Sequence, residues 1–293
     1  MLFPRTCLTA GRWANLQFEF IKDPRVCGDD KTGYMNKNLK RKLDYHYHYF
    51  DFSQISPDPL EFLHRYKDAR DIEIAGIISS VFAYGNMKQI ISTLEKIHRI
   101  MKADPYNFVI KFNFEKHSKL FDGIKHRFYT SADIALFFNA LNKIYLNYGS
   151  LKYLFLLYHF EKEKSLKESI HFFSQNLISL AAGNNKPSRG LVFMFPDPMK
   201  GSACKRMNLF LRWMIRKDEL DFGLWHEIKP SQLVIPVDTH IGKICRQLKL
   251  TRQKNISWKM AEEITDNLKK FDADDPVKYD FAICHLGIRK INF

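Results

Sequence analysis

From residue 59 onward, the hydrophobic positions of the chain recur with the period of an α-helix. The clearest run follows Gly85 and Asn86, where hydrophobic residues stand three or four positions apart: Met87, Ile90, Ile91, Leu94, Ile97 and Met101. Side chains at this spacing share one face of a helix. The same criterion predicts helices over residues 72–84, 87–101, 132–147, 151–160, 166–182, 204–216, 239–248, 258–271 and 276–286. We therefore predict an all-α fold, a helical bundle with minor extended segments such as residues 233–237.

The first 33 residues differ from the rest of the chain. They mix prolines and glycines with isolated aromatic residues, show no sustained period, and resemble translated intergenic sequence. Met35 then opens a lysine-rich segment, MNKNLKRKL, and is a candidate initiator. We expect residues 1–34 to be an extension outside the domain. Residues 35–293 then form the helical domain, either as one body or as two lobes, about 35–185 and 186–293, that meet near the loop 183–190.

Composition narrows the class of protein. The 293 residues are 45% hydrophobic and 27% charged, which favours a packed core and excludes wholesale disorder. Lysine and arginine number 46 against 32 acidic residues, a net charge of +14. This surplus favours a polyanionic partner, nucleic acid first and an anionic membrane surface second. No apolar run approaches the roughly 18 residues of a membrane helix, so we expect no membrane-spanning segment.

The cysteines and the N-terminal residues indicate in which cellular compartment the protein is expected. The five cysteines are odd in number and include no CxxC pair, so a disulfide scaffold or a zinc ribbon is not expected. Arg12, Glu19 and Lys22 interrupt any apolar run that a secretory signal would need. We predict reduced thiols in the cytoplasm, and neither a metal nor a cofactor.

Residues 200–206, with the sequence KGSACKR, carry the first candidate chemistry. A turn of glycine and small residues at the start of a helix leaves backbone N–H groups free to bind phosphate, and Lys200 and Arg206 would strengthen such a site. Lys205 falls in the first helical turn, where the helix dipole and Arg206 both disfavour its protonated form. A neutral amine is what a Schiff-base nucleophile requires. The alternative is a solvated lysine at an ordinary helix start.

Asp238 is the second candidate. It follows the apolar residues 233–237 and precedes a helical pattern, in the sequence VIPVDTHIGK. This position is typical of a helix N-cap, which is the ordinary interpretation. Capping and catalysis are compatible, because one carboxylate oxygen can cap the helix while the other faces a cleft.

Together these segments resemble the helix-hairpin-helix DNA glycosylases. In that superfamily a Gly-x-Gly-x-Lys hairpin binds the DNA backbone, its lysine attacks the sugar, and the aspartate of a Val-Asp-x-His segment assists. By this resemblance Gly201 and Ala203 match the hairpin glycines, Lys205 the nucleophile and Asp238 the essential carboxylate. Ala203 departs from the second glycine, and the iron–sulfur cysteines of some members are absent. The interval between Lys205 and Asp238 is closest to that of archaeal 8-oxoguanine DNA glycosylases.

A second resemblance covers nearly the whole of residues 40–293. It is to a bacterial family of conserved hypothetical proteins without a settled function. The matching blocks are DPLEFLHRY, FAYGN, KGSACKRMNLFLRWMIR, VIPVDTHIGKICRQL and DPVKYDFAICHLGI.

The glycosylase resemblance implies a set of DNA contacts around the lysine and the aspartate. The predicted contacts are Lys200, Gly201, Ser202, Ala203, Arg206, Thr239, His240, Lys243 and Asn86. Asn86 would fill the space that an extruded base leaves, although Gly85 and Asn86 also fit a plain turn between helices.

We therefore weigh three functions. The first is a base-excision glycosylase with lyase activity that acts on an oxidised purine in double-stranded DNA, as a monomer, in the cytoplasm at the bacterial nucleoid. The second is a non-catalytic nucleic-acid-binding protein that retains the fold. The third is an interaction protein whose basic charge is incidental. The presence of both Lys205 and Asp238 favours the first, since a pure binding protein has no need of the pair.

Overall fold

The structure, a computed structural model, describes residues 30–49, 52–159 and 165–288. The helices are α1 (Asp30–Tyr49), α2 (Ala69–Phe82), α3 (Met87–Ile100), α4 (Pro105–Ile110), α5 (Phe114–His117), α6 (Ser131–Tyr148), α7 (Leu151–Leu156), α8 (Lys167–Ala182), α9 (Arg189–Met194), α10 (Lys205–Ile215), α11 (Thr239–Gln247), α12 (Trp258–Lys269) and α13 (Asp280–Ile288). Short 3-10 turns include Pro59–Arg65, Pro198–Lys200 and Pro276–Tyr279. Within these ranges no β-strand occurs, only two isolated bridges. The predicted all-α fold is confirmed.

Local signals explain most helix ends. Thr130 and Asp133 form a reciprocal capping box at the start of α6, and Gly149 ends that helix in the left-handed conformation. The helices predicted over 87–101, 204–216 and 239–248 lie within a residue or two of α3, α10 and α11. Residues 233–237 run without regular structure into α11, as predicted.

Four helices were not predicted. α1 begins ahead of Met35, the short helices α4 and α5 lie between α3 and α6, and the short helix α9 follows the predicted loop 183–190. Helices of four to six residues have too few turns to give a period. The predicted N-terminal extension falls mostly on residues 1–29, which lie outside the described residues, so it stays a prediction.

The core is organised around α2. Nearly every residue of this helix is buried, and it packs against α10, α4 and the 3-10 turn Pro59–Arg65. Gly76 lets α2 lie close to α10 and to this turn. A Cβ atom at position 76 would be 3.0 Å from the Met214 side chain and 3.3 Å from those of Leu63 and Phe210. The described residues from Lys40 onward form one compact unit. Packing on α2 fixes the position of α10, which carries Lys205 at its first residue.

One buried carboxylate holds several of these elements together. Glu73, in the middle of α2, accepts hydrogen bonds from the Tyr145 hydroxyl (2.5 Å), the Trp225 indole (2.8 Å) and the backbone N–H groups of Leu151 (2.9 Å) and Lys152 (3.2 Å). Burial raises the pKa of Glu73, and the hydrogen bonds partly oppose that rise. A carboxylate that satisfies four donors joins α2 to α6, α7 and the segment after α10.

Among the described residues, none of the helices combines the length and the apolar character needed to cross a bilayer.

Candidate functional site

A cleft of about 1200 Å³ brings together residues that lie far apart in the sequence. Its lining comes from Asp58, the turn after α2, the turn at Arg127, the segment 186–193, the starts of α10 and α11, and α13. Both Lys205 and Asp238 are among the lining residues. The cleft therefore contains the two residues that the sequence singled out.

The backbone before α10 places Lys205 at the first position of the helix. Gly201 has a φ of +84° and Cys204 a φ of +46°, both in the left-handed region. The Ser202 hydroxyl accepts a hydrogen bond from the Cys204 N–H at 3.2 Å. The Gly201 carbonyl accepts another from the Trp258 N–H at 3.0 Å, which ties this hairpin to the start of α12. The turn thus has a defined geometry that starts α10 at Lys205.

Asp238 uses its two carboxylate oxygens for different partners. Oδ1 accepts hydrogen bonds from the backbone N–H groups of His240 and Ile241, both at 2.9 Å, and so caps α11. Oδ2 accepts a hydrogen bond from Lys205 Nζ at 2.7 Å. The cap fixes the orientation of the carboxylate, and Oδ2 is directed to Lys205 in the cleft.

The electrostatics of the pair favour its charged form. Burial by itself would lower the pKa of Lys205, but the charge and the hydrogen bond of Asp238 outweigh it and raise that pKa. Burial likewise raises the pKa of Asp238, and Lys205 with the two capping N–H groups reverses this and lowers it. The side chains of Lys205 and Asp238 are 34% and 35% exposed, so solvent in the cleft reaches both. The expectation from the helix dipole and Arg206 that the pKa of Lys205 is lowered is wrong, because Asp238 Oδ2 lies 2.7 Å from Lys205 Nζ and stabilises the protonated amine.

Two further carboxylates that were not among the predicted site residues line the same cleft. Asp58 caps the 3-10 turn Pro59–Arg65 through the Leu60 N–H at 2.9 Å. Asp280, the first residue of α13, binds Arg212 Nη1 at 2.6 Å. Burial raises the pKa of both carboxyl groups. An aspartate within an otherwise apolar helix was the available signal for Asp280. In the described ranges no three His, Cys, Asp or Glu side chains are grouped to bind a metal ion.

A buried ionic cluster supports this end of the cleft. Two arginines near the end of α10 pair with four aspartates. The contacts are Arg212 with Asp221 (3.1 Å) and Asp280 (2.6 Å), and Arg216 with Asp218 (2.9 Å), Asp275 (2.8 Å) and Asp221. The cluster joins α10 to the segment around Pro276–Tyr279 and to α13. It therefore fixes α13 beside the lysine-bearing helix.

The remaining predicted residues fall into three groups by position. Ser202, Ala203, Thr239 and His240 line the cleft, and Thr239 and His240 are exposed. Lys200, Gly201 and Lys243 are exposed near it without lining it. Asn86 is exposed beside the lining residue Gly85, and its side-chain oxygen accepts from the Lys88 N–H at 2.9 Å, which makes it the N-cap of α3. The structure thus gathers most of the set around one opening.

Arg206 has a different environment from the one predicted. It is only 7% exposed, and its guanidinium donates to the Tyr129 hydroxyl and to the Phe193 carbonyl. Its charge also lies over the rings of Phe193 (4.6 Å) and Tyr84 (5.5 Å). Since the guanidinium is directed into the protein, this placement does not support the predicted contact with DNA phosphate.

Cys204, next to Lys205, is a buried thiol whose surroundings favour its protonated form. It is buried and its Sγ lies 3.3 Å from the Pro196 carbonyl oxygen. Burial raises the pKa of this thiol to about 12.

The fold and the site define a class of protein: an all-α protein with a lysine–aspartate ion pair in a large cleft. Comparison with known families makes the assignment specific. The chain belongs to the family described as Protein of unknown function (DUF2400), whose model matches residues 58–289. No curated protein and no solved structure shows a significant match to the chain. The predicted near-full-length relationship to a family without a settled function is therefore confirmed.

Proposed function

We propose that the protein is a DNA-repair glycosylase with lyase activity, which cleaves the N-glycosidic bond of a damaged base, an oxidised purine, through a Schiff base on Lys205. One observation carries the proposal: Lys205 Nζ and Asp238 Oδ2 lie 2.7 Å apart in a cleft of about 1200 Å³. A nucleophilic amine and a carboxylate within one sugar's width are the groups this reaction needs. The net charge of +14 supports DNA as the substrate.

Asp238 would act on the first half of the reaction. As the N-glycosidic bond breaks, its electron pair leaves with the base, which takes up a proton, and positive charge builds on the deoxyribose. A fixed carboxylate next to that charge lowers the barrier electrostatically. The α11 cap holds the carboxylate of Asp238 in place, so only its ion pair with Lys205 has to rearrange when the charge develops.

Lys205 would act on the second half. Once its ammonium has lost a proton to solvent water, which reaches the cleft, the Nζ lone pair forms a bond to C1′. A proton then moves from Nζ to O4′, the sugar ring opens, and a protonated Schiff base results. Loss of a proton from C2′ breaks the C3′–O bond, expels the 3′ phosphate and nicks the strand. Water finally hydrolyses the imine and releases the lysine.

A second candidate function is a non-catalytic nucleic-acid-binding protein that retains the fold. The raised pKa of Lys205 favours this alternative, because an ammonium paired with Asp238 is not a nucleophile in the free protein. In the glycosylase, approach of the sugar cation to Asp238 would weaken the ion pair and release the amine. The two functions therefore differ in whether Lys205 becomes covalently linked to DNA.

Borohydride trapping distinguishes them. The full-length protein is incubated with duplexes that each carry one defined lesion, and borohydride reduces any Schiff base to a stable cross-link. We expect a cross-link with an oxidised purine, which Lys205→Ala abolishes. Lys205→Arg is the matched control, because it keeps a cation beside Asp238 and cannot form the Schiff base.

Absence of a cross-link with every lesion, while duplex binding persists, would make the non-catalytic protein the better conclusion. A cross-link that survives in Lys205→Arg would place the nucleophile on another residue.

A further inference from the structure

A rigid two-residue turn projects at the rim of the cleft. His126 and Tyr129 exchange two backbone hydrogen bonds, of 3.1 and 2.9 Å, across Arg127 and Phe128. Arg127 has a φ of +53°, in the left-handed region that ordinarily favours glycine. Phe128 is 57% exposed, an unusual state for a ring of this size. The tip of the turn is therefore an exposed aromatic residue next to an exposed cation.

The base of the turn is anchored in the core. His126 and Tyr129 are both buried. The His126 ring bonds through Nε2 to the Tyr84 carbonyl (2.9 Å) and through Nδ1 to the Thr93 hydroxyl (3.1 Å). The Tyr129 hydroxyl donates to the Val81 carbonyl at 3.1 Å. Tyr129 also accepts from the Arg206 guanidinium, which joins the turn directly to the residue after Lys205.

The rim around this turn is aromatic and basic. The Phe128 ring packs edge-to-face on Phe193 at 4.8 Å, and the Arg127 guanidinium lies 4.3 Å above the Tyr84 ring. Gly85 allows this stacking, because at its φ of +118° a Cβ atom would stand 2.9 Å from Arg127 Cδ. Two more cations, Lys186 and Arg189, line the cleft here. In the described ranges neither they nor Arg127 forms an ion pair.

We propose that Phe128 enters the DNA duplex at the position from which a nucleotide turns into the cleft. The ring stacks on the neighbouring base pairs, and Arg127, Lys186 and Arg189 contact the flanking phosphates. Stacking of an aromatic ring on the exposed bases offsets part of the cost of unstacking. The exposure of Phe128, the rigid anchoring of its turn and the unpaired cations beside it support the assignment. The Asn86 side chain, by contrast, is engaged as the cap of α3. The inference rests on the proposed function for its substrate, DNA.

Binding to a duplex with one missing base tests the insertion without any chemistry. The probe is a fluorescein-labelled DNA duplex with a single tetrahydrofuran residue, which lacks a C1′ leaving group and cannot form a Schiff base. The reference is the intact duplex of the same sequence. We expect the unaltered protein to prefer the tetrahydrofuran duplex in an anisotropy titration. Phe128→Ala should reduce that preference about tenfold, with little effect on the intact duplex.

Two further variants separate stacking from packing. Phe128→Tyr keeps the aromatic ring and should keep the preference. Phe128→Leu keeps an apolar contact with Phe193 but loses the ring, and should behave like Phe128→Ala. Phe114→Ala is the matched control, because Phe114 is also an exposed phenylalanine (37%) but begins α5, whereas Phe128 packs on the cleft residue Phe193. It should leave both affinities unchanged.

A second readout reports the insertion directly. With 2-aminopurine next to the tetrahydrofuran residue, stacking of Phe128 should change the fluorescence on binding, and Phe128→Leu should abolish that change. An unchanged preference in both Phe128→Ala and Phe128→Leu overturns the inference, as does the absence of any preference in the unaltered protein.

These outcomes differ from failure of the proposed function. Loss of trapping with a retained, Phe128-dependent preference removes the glycosylase chemistry and leaves the insertion. If the protein is trapped on a lesion but its preference for the tetrahydrofuran duplex does not depend on Phe128, the glycosylase chemistry stands and the insertion is removed.

Discussion

Replacement of Asp238 by asparagine separates the two tasks of this residue. Asparagine is as good an N-cap as aspartate, so the bonds from the His240 and Ile241 N–H groups can persist. The change removes the negative charge beside Lys205 Nζ, at present 2.7 Å away. Without that charge, burial is opposed only by the smaller effects of Cys284 and Asp280, and the pKa of Lys205 should fall below its ordinary value.

The structure sets the expected loss of stability. Both side chains are about one third exposed, so the ion pair contributes on the order of 1 kcal/mol or less. Asp238→Ala also removes the cap and should cost about 1 kcal/mol more. The catalytic loss should be far larger: removal of one electrostatic stabiliser slows a reaction roughly 100- to 1000-fold, or about 3–4 kcal/mol. A mainly kinetic defect in Asp238→Asn is therefore the expected signature.

The pH dependence of stability follows from the signs of the two shifts. The pKa of Asp238 is lowered in the folded state, so its stabilisation is complete above the unfolded value of about 3.9 and is lost as the pH falls through the folded value. The pKa of Lys205 is raised, so its share is complete below about 10.4 and is lost as the pH rises through the folded value. The difference in stability between the unaltered protein and Asp238→Asn should be constant from about pH 5 up to the pH at which Lys205 of the variant begins to lose its proton, and it should close in acid.

Two assays test this reasoning. Urea unfolding at several pH values gives the free energy of unfolding for the unaltered protein, Asp238→Asn and Asp238→Ala. The rate of base release is measured in single turnover, without borohydride, on a duplex whose lesion gives a cross-link in the trapping assay. If Asp238→Asn releases the base at the normal rate while Asp238→Ala loses about 1 kcal/mol or more of stability, Asp238 is a structural cap and the electrostatic role is refuted.

Four further outcomes are expected. Glu73→Ala should destabilise the fold by roughly 3–5 kcal/mol in urea unfolding, because four donors lose one buried acceptor; a loss below about 1 kcal/mol would contradict this. Arg212→Leu should cost a similar 3–5 kcal/mol, since the buried Asp280 loses its arginine partner and Asp221 loses one of two, and a stabilised variant would count against the cluster. Combined Lys200→Glu and Lys243→Glu should weaken duplex binding at every sequence and reduce the salt slope by about two; an unchanged slope would remove both from the interface. Cys204 should resist iodoacetamide at pH 8 in the folded protein, as mass spectrometry can show, and rapid labelling would refute its burial.

Local signals made part of this structure predictable. The period of residues 87–101 gave α3, and the aspartate before a helical pattern gave the cap of α11. Lys205 and Asp238 could be assigned to one site because the segments KGSACKR and VIPVDTHIGK together resemble two motifs of the helix-hairpin-helix DNA glycosylases. Arg206 could not be placed, since its partner Tyr129 lies 77 positions away in the sequence.

Other features depended on contacts that sequence periodicity does not report. Glu73 lies in an apolar run and finds partners 72 to 152 positions away. The turn at Arg127 and Phe128 could not be predicted from a glycine, because the residue in the left-handed conformation is an arginine. Its exposure at the rim follows only from the packing of His126 and Tyr129.

The pairing of Arg212 with Asp280 also constrains how the protein is made. The two residues are 68 positions apart, so a ribosome that adds about 5–20 residues per second synthesises Asp280 some 3–14 s after Arg212. During that interval α10 can form, but the ionic cluster that fixes α13 beside it is incomplete. At that stage the two arginines have two of their four aspartate partners, Asp218 and Asp221, and the apolar side chains of α13 that complete the packing beside α10 are not yet made.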